Sequence, residues 1–425
     1  MISVEQLQAA INEVAHTHAS TPRPVEHLPL LSAVGYVLAE NIVADFDIPR
    51  QNLSAMDGFA FAVGSELSAG NQIDIVGESC AGRPFEGELS CGQGVRIFTG
   101  AVVPAACDCV VMQENTDWQA IASTVDKSQN YAITLSKAAE IGANIRKQGE
   151  EVAAGERVLA AGKRLNPADV SLLANLGVAQ VAVYAPLTVG LIATGDELVA
   201  LGHELPNLAS IYNSNTPTLK TLLKDLPIVI KDYGIIADDL QATCDAVAQA
   251  VKECDVLISS AGVSVGDYDY LTHAIDALGK ITHYKVAMKP GKPFVFGELY
   301  DDARTVLYFG LPGNPLSCVV GCLQFIKPAL WRLAKVSDDD LPKRLVLKAK
   351  LMADFSKKAG RKEYARGVYH QDEQGEFHVT FLGAQDSHRI KQLAYANCLI
   401  AIDKDDSHLQ KGDMVSIEPF VWGLL

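Results

Sequence analysis

From residue 187 onward, short apolar runs alternate with segments of helical apolar spacing, and few architectures accommodate that rhythm. The runs fall at 187–193, 228–233, 255–260 and 304–309; the helical segments between them fall at 216–225, 239–252 and 268–278. Strand–helix–strand alternation predicts a mostly parallel sheet with helices on both faces, a three-layer α/β domain. In such sheets ligands sit at the carboxyl ends of the strands. The polar and small-residue segments of this chain fall there: Thr194-Gly195-Asp196-Glu197-Leu198, Tyr212-Asn213-Ser214-Asn215, Asp238-Asp239, residues 259–269, and residues 310–317.

A chain of 425 residues exceeds one ordinary core, so further domains are expected. Val4, Leu7, Ile11 and Val14 have the spacing of an opening amphipathic helix, and Leu31 with Val34 suggests a second helix over 28–40. Asp57-Gly58 reads as a turn. From about 60 to 145 the pattern becomes short β-like runs, at 72–76, 94–98, 109–112 and 131–135, with Thr99-Gly100 and Gln113-Glu114 at strand ends. Asn166-Pro167 is a helix start, with Asn as cap and Pro at the first helical position. After a helix over 315–333, runs at 344–349, 376–381, 398–402 and 414–417 predict a small barrel or sandwich. The expected layout is a multidomain α/β plus β chain: a split helical domain (1–45 and 146–180), an inserted β domain (46–145), the α/β domain (181–335) and a C-terminal β-barrel-like domain (336–425).

Composition narrows the partners. Thirty-six basic against 51 acidic residues leave a net charge of −15, which disfavours nucleic acid and anionic membranes as partners. The first residues lack the apolar core of a signal peptide, and no apolar run reaches the ~20 residues of a membrane span, so a cytoplasmic protein is expected. The nine cysteines include no Cys-x-x-Cys pair, and Cys107-Asp108-Cys109 reads as strand rather than a soft metal site.

The chemistry follows from what is present and absent. The Gly-rich dinucleotide fingerprint and the Gly-Lys-Ser/Thr phosphate loop are both missing, as are Ser-His-Asp and His-Glu-x-x-His arrangements. Glu197, Asp238 and Asp269 offer hard oxygens at neighbouring strand ends, a donor set that suits Mg²⁺. Lys285, Lys289 and Lys292 lie in one Gly/Pro-framed segment, Lys285-Val286-Ala287-Met288-Lys289-Pro290-Gly291-Lys292-Pro293. Lys289 and Lys292, the N-terminus of the helix beginning at Asn314-Pro315, the Ser317 hydroxyl and the guanidinium groups of Arg361 and Arg366 would hold a tetrahedral dianion. In a pocket of effective dielectric 20, each charge pair at 4 Å is worth about 4 kcal/mol. Backbone around Gly262, Ser264, Gly266 and Asn314 is placed to meet a nucleotide.

The ordered set of motifs resembles the MoeA family of molybdopterin molybdenumtransferases, which includes the E domain of gephyrin. It comprises Ser54-Ala55-Met56-Asp57-Gly58, Thr99-Gly100, Val110-Val111-Met112-Gln113-Glu114, Thr194-Gly195-Asp196-Glu197-Leu198, Asn213-Ser214-Asn215, Gly262-Val263-Ser264-Val265-Gly266-Asp267, Lys289-Pro290-Gly291-Lys292-Pro293 and Leu311-Pro312-Gly313-Asn314-Pro315. The resemblance implies an elongated homodimer and a reaction in which molybdate is inserted into adenylylated molybdopterin with Mg²⁺-dependent release of AMP. It implies a molybdate site of Lys289, Lys292, Pro293, Ser317, Arg366 and Ser387, with Glu197, Asp238 and Asp269 on the nucleotide and metal side. Asp57 and Thr99 would reach the site from the partner subunit. A molybdopterin adenylyltransferase and acceptor molybdenum enzymes would be its partners. Three positions depart from the family pattern: Ala261 stands where a second Gly is common, Glu151 where Asp is frequent, and Lys391-Gln392 in place of Ser-Ser. Two other classes are a peptide-anchoring scaffold of the gephyrin E type and a Mg²⁺-dependent nucleotide-processing enzyme. Molybdate-dependent AMP release separates both from the transferase.

Overall fold

The structure, a computed structural model, describes residues 1–62, 67–261, 270–301, 304–386, 389–420 and 422. Its described chain divides into two compact units: 1–40, 161–173 and 178–425 form the first, and 41–160 with 174–177 form the second.

The first unit contains the expected sheet. Its strands are β1 (Leu187–Thr194), β2 (Ile228–Ile236), β3 (Val256–Ser260), β4 (Gly279–Lys285), β5 (Pro293–Asp301) and β6 (Arg304–Leu311). The order is β2-β1-β3-β6-β5-β4. β2, β1, β3 and β6 are parallel, while β5 and β4 run antiparallel at one side. Residues of β3 are buried throughout, as strands covered on both faces require. Helices α1 (Asn215–Leu222), α2 (Leu240–Glu253) and α3 (Tyr270–Leu278) supply the crossovers. The antiparallel pair was not anticipated. β4 carries Lys280 and Lys285 between its apolar positions, which reads as a polar connection, and β5 is interrupted by Gly297. That glycine is required, because a Cβ there would lie 2.3 Å from the Lys280 carbonyl oxygen of the neighbouring strand.

The helix expected over 315–333 is three pieces: Pro315–Gly321, a π-helical turn Cys322–Ile326, and Lys327–Leu333. Pro328 cannot donate to the helical ladder, and a π-turn is one way to absorb such a defect. Among the described residues this run alone is long and apolar enough to cross a membrane, yet 78% of it is buried inside the protein, the place of a core helix. The opening helix, Val4–Ala19, starts in a capping box between Ser3 and Gln6 and buries Val4, Leu7, Ile11 and Ala15 against this run. The second expected helix is absent: residues Val25–Pro29 pair as a strand with Gln180–Tyr184, and only a single 3₁₀ turn, Leu30–Ser32, follows. Leu31 is 81% exposed, so its spacing with Val34 reported no buried face.

The C-terminal strands are β7 (Leu347–Leu351), β8 (Lys362–Gln371), β9 (Phe377–Phe381), β10 (Cys398–Ile402) and β11 (Met414–Pro419). They pair β8-β9-β7-β11-β10, and β10 pairs back onto β8, so the sheet closes into a five-stranded barrel. Closure removes every free edge within the ring. Gln324, fully buried in the π-turn, ties the barrel to the helical layer. Its Oε1 accepts from Tyr364 Oη (3.1 Å) and from Arg344, and its Nε2 donates to Glu418 (2.8 Å).

In the second unit, five strands pair in the order Cys109–Met112, Gly58–Phe61, Gln93–Ile97, Gln72–Ser79, Tyr131–Thr134. Gly58, expected in a turn, instead begins an inner strand. A Cβ on it would sit 1.9 Å from the Val111 carbonyl oxygen, so close strand packing, not turn chemistry, demands glycine. Cys107 and Cys109 are buried, and burial pushes both thiols up to about 12, away from the thiolate a soft metal needs.

Candidate functional site

The lysine segment is the connection between β4 and β5, and the first residues of the chain brace it. Ile2 N–H donates to the Lys285 carbonyl (2.9 Å), Ala287 N–H to the Ile2 carbonyl (2.8 Å), and Val286 N–H to the Lys292 carbonyl (2.7 Å). Lys285, Lys292 and Pro293 are exposed. Gly291 has φ +93°, and a Cβ there would fall 2.5 Å from Met288 Cε and 3.8 Å from Ser317 Cβ. The connection therefore lies against the turn at Asn314–Ser317. Within that turn Asn314 Oδ1 accepts from the Ser317 amide (3.2 Å), and Ser317 is 5% exposed.

Lys289 has a partner the sequence did not suggest. Met288–Lys289 pairs in parallel with β8, setting Lys289 opposite Glu363. Lys289 Nζ lies 2.9 Å from Glu363 Oε1; the carboxylate side chain is 4% exposed, the lysine 36%. Three residues along β8 is Arg366, one of the largest fully buried side chains. Its Nη2 donates to Gln392 Oε1 (2.5 Å) and to the carbonyls of Asp386 (3.1 Å) and Ala384 (3.3 Å). Its Nε is buried without a hydrogen-bond partner. Burial lowers the Arg366 pKa, and the fields of Glu363 and Asp386 oppose that shift. Gln392 thus takes one end of the guanidinium. Arg361 lies in the bend before β8, half-buried, its carbonyl accepting from Lys357 (3.0 Å).

The carboxyl ends of β1, β3 and β6 meet beside this turn. Asn215, at the start of α1, donates from Nδ2 to the Gly313 carbonyl (2.8 Å). That bond fixes the amide orientation and leaves Oδ1 buried with no partner. The hydroxyl of Ser260, at the end of β3, is likewise buried and unpartnered. Ala261 follows with φ +84°, its amide donating to Leu311 (2.9 Å), and Gly313 faces it so closely that a Cβ would lie 3.6 Å from the Ala261 methyl. Gly262, Ser264, Gly266 and Asp269, together with Ser387, lie outside the described residues.

On the other side of β1, Asp196 and Asp238 clasp each other: Asp196 Oδ1 accepts the Asp238 amide (3.0 Å) and Asp238 Oδ2 faces the Asp196 amide (3.4 Å). Asp196 was not among the expected site residues, although it precedes Glu197 in the same motif. Glu197 folds back over Gly195, whose φ is +135° and where a Cβ would fall 2.6 Å from Glu197 Oε2. All three acids are exposed at the strand ends. Hard oxygens alone, with no nitrogen or sulfur donor among them, fit Mg²⁺ better than a softer metal. Another grouping, Asp372, Glu376 and His378, brings ligand atoms within 4.8 Å of one another. Its acids are committed to a β8–β9 hairpin: Asp372 binds His378 Nε2 (2.7 Å) and the Gln374 and Glu376 amides, and Glu376 pairs with Lys350.

In the second unit, Asp57 Oδ1 accepts from both the amide and the hydroxyl of Thr99, each at 2.8 Å. These donors hold the Asp57 carboxyl below the ordinary aspartate range. A separate groove of about 920 Å³ on the first unit is lined by Ile11, Leu323, Phe325, Trp331, Phe420 and others, and includes none of the expected site residues. Its walls are mostly apolar, with Lys224, Lys327, Lys343 and Arg344 among its lining residues, and it lies apart from the strand ends described above.

A mostly parallel α/β sheet with orphaned polar atoms at its strand ends, beside a closed barrel that buries an arginine, defines a multidomain α/β plus β protein. The comparisons give this class its family. Residues 2–177 match the MoeA N-terminal region (domains I and II), 190–332 a probable molybdopterin-binding domain, and 348–420 the MoeA C-terminal region (domain IV). The chain is 35% identical over 399 residues to the molybdopterin molybdenumtransferase of Haemophilus influenzae, covering 94% of this chain and 95% of the relative. It is 34% identical over 400 residues to that of Staphylococcus epidermidis, covering 92% and 90%. The crystal structure of the molybdopterin biosynthesis MoeA protein of Pyrococcus horikoshii superposes with a TM-score of 0.80 at 25% identity, covering 99% of this chain and all of the other. The chain belongs to the MoeA family of molybdopterin molybdenumtransferases.

Proposed function

We propose that this chain inserts molybdate into adenylylated molybdopterin and releases AMP, in the synthesis of molybdenum cofactor. The observation that carries the reading is the meeting of four separate segments at one place: the Gly291 connection against Ser317, Gly313 against Ala261, and Asn215 against Gly313. The unpartnered Arg366 Nε–H is a buried donor suited to an oxyanion, and Asn215 Oδ1 with Ser260 Oγ are buried groups suited to hydrogen-bonding the organic part of the substrate. Lys289 and Ser317 flank the oxyanion position, Lys292 and Pro293 lie at its rim, and Ser387, outside the described residues, is assigned to the same site by its place in the motif. Backbone at Gly262, Ser264, Gly266 and Asn314 holds the nucleotide. Lys285, through its carbonyl to Ile2, keeps the lysine connection in place.

Glu197, Asp196, Asp238 and Asp269 would hold Mg²⁺, which neutralises charge developing on the leaving phosphate. Asp57, ionised and fixed by Thr99, completes the site from the second subunit of a homodimer; the protein works in the cytoplasm, and the four-part division of the chain stands with this reading. A molybdopterin adenylyltransferase supplies the substrate and molybdenum enzymes receive the product. The test is AMP release from adenylylated molybdopterin with and without molybdate. A nucleotide-processing enzyme would release AMP without molybdate, and a scaffold would release none.

A further inference from the structure

We propose that Glu363 sets the affinity of the oxyanion site, acting as an internal counter-ion that holds Lys289 and opposes the incoming dianion. The inference rests on the molybdate site proposed above. Three observations carry it. The pair is asymmetric: the Glu363 side chain is 4% exposed and Lys289 36%, so a ligand reaches the ammonium but not the carboxylate. It is also built into paired backbone, because Lys289 and Glu363 are register partners of two hydrogen-bonded strands rather than a mobile surface pair. Finally, Glu363 acts on the neighbouring cations too: its field bears on Arg366, on the same strand, and on Lys357.

A sealed carboxylate beside a cationic pocket has a definite effect. It keeps the cations ordered without the ligand, and it repels any anion that binds among them. A site that must pass its oxyanion on gains from that repulsion, since tight ground-state binding alone does not accelerate transfer. Glu363 is therefore a positioning residue for Lys289 and a determinant of oxyanion affinity.

The test measures molybdate binding by equilibrium dialysis to the full-length wild type, Glu363→Gln and Lys289→Met. Glu363→Gln should bind molybdate at least tenfold more tightly and lower the molybdate KM without raising kcat. A purely structural ion pair would give equal or weaker binding, and that result overturns the proposal. Lys289→Met should lose binding. If wild type and Lys289→Met bind alike, the site itself is misplaced; if only Lys289→Met loses binding while Glu363→Gln gains none, the Glu363 proposal alone fails. Should Glu363→Gln not fold, ¹³C-methylated lysines of the wild type provide the readout: molybdate must shift the Lys289 resonance, and an unmoved resonance at saturation overturns the proposal.

Discussion

Asp57 and Thr99 are 42 residues apart in sequence, yet one carboxylate oxygen receives both the amide and the hydroxyl of the threonine at 2.8 Å. The folded-state pKa of Asp57 is depressed, so this stabilisation is fully present above the unfolded aspartate value, about 3.9, and is lost as pH falls through the folded value. Thr99→Val keeps the amide but removes the hydroxyl. An NMR titration of the Asp57 carboxyl carbon should then show the pKa moving up toward the ordinary range. No movement would mean that the hydroxyl contributes nothing.

Gly58 places that aspartate. Because a Cβ at Gly58 would stand 1.9 Å from the Val111 carbonyl oxygen, Gly58→Ala must push the two strands apart. Overpacking of this kind costs about 3 kcal/mol. Urea unfolding followed by Trp118, buried in the same unit, should shift to lower denaturant by that amount, and activity should fall with it.

Ala261 is a strained alanine. Its φ of +84° is one that glycine adopts freely and an alanine does not. Ala261→Gly should stabilise the protein by about 1 kcal/mol, the left-handed penalty offset partly by the greater freedom of the unfolded chain. Differential scanning calorimetry would show an unchanged or lower midpoint if the alanine is unstrained.

The Asp196–Asp238 clasp makes a paired prediction. Asp238→Asn and Asp196→Asn both keep a side-chain oxygen able to accept a backbone amide, so the fold should hold in each. Each should raise the Mg²⁺ concentration needed for half-maximal AMP release by about tenfold, as expected for losing one charged ligand, about 1.4 kcal/mol. Wild-type Mg²⁺ dependence in both variants would remove these acids from the metal site.

What the sequence made legible was what periodicity and punctuation control. The parallel strands have near-continuous apolar runs bounded by polar turns, and the Asn166-Pro167 start is visible as a helix cap whose Oδ1 accepts the Ala168 and Asp169 amides. β4 and β8 were missed because Lys280, Lys285, Lys362 and Arg366 break their apolar runs, and β5 because Gly297 interrupts it, while the tertiary structure supplies partners. The Glu363–Lys289 pair spans 74 residues and follows from strand register, which no local pattern encodes. Asp196 was in plain view, but only the return of β2 beside β1 shows that Asp238 faces it. Gly58 looked like a turn residue because closeness of a neighbouring strand leaves the same residue type as a positive φ does.

The central claim is that the lysine connection and the strand ends hold molybdate and adenylylated molybdopterin together. Its most direct measurement is the AMP released per molybdate consumed, in wild type and in Lys289→Met. The account predicts AMP release that is stoichiometric with molybdate in the wild type and is lost in a Lys289→Met protein that remains folded at the assay temperature, although the unpaired Glu363 lowers its unfolding midpoint. Release of AMP without molybdate, or at the wild-type rate in Lys289→Met, would contradict it.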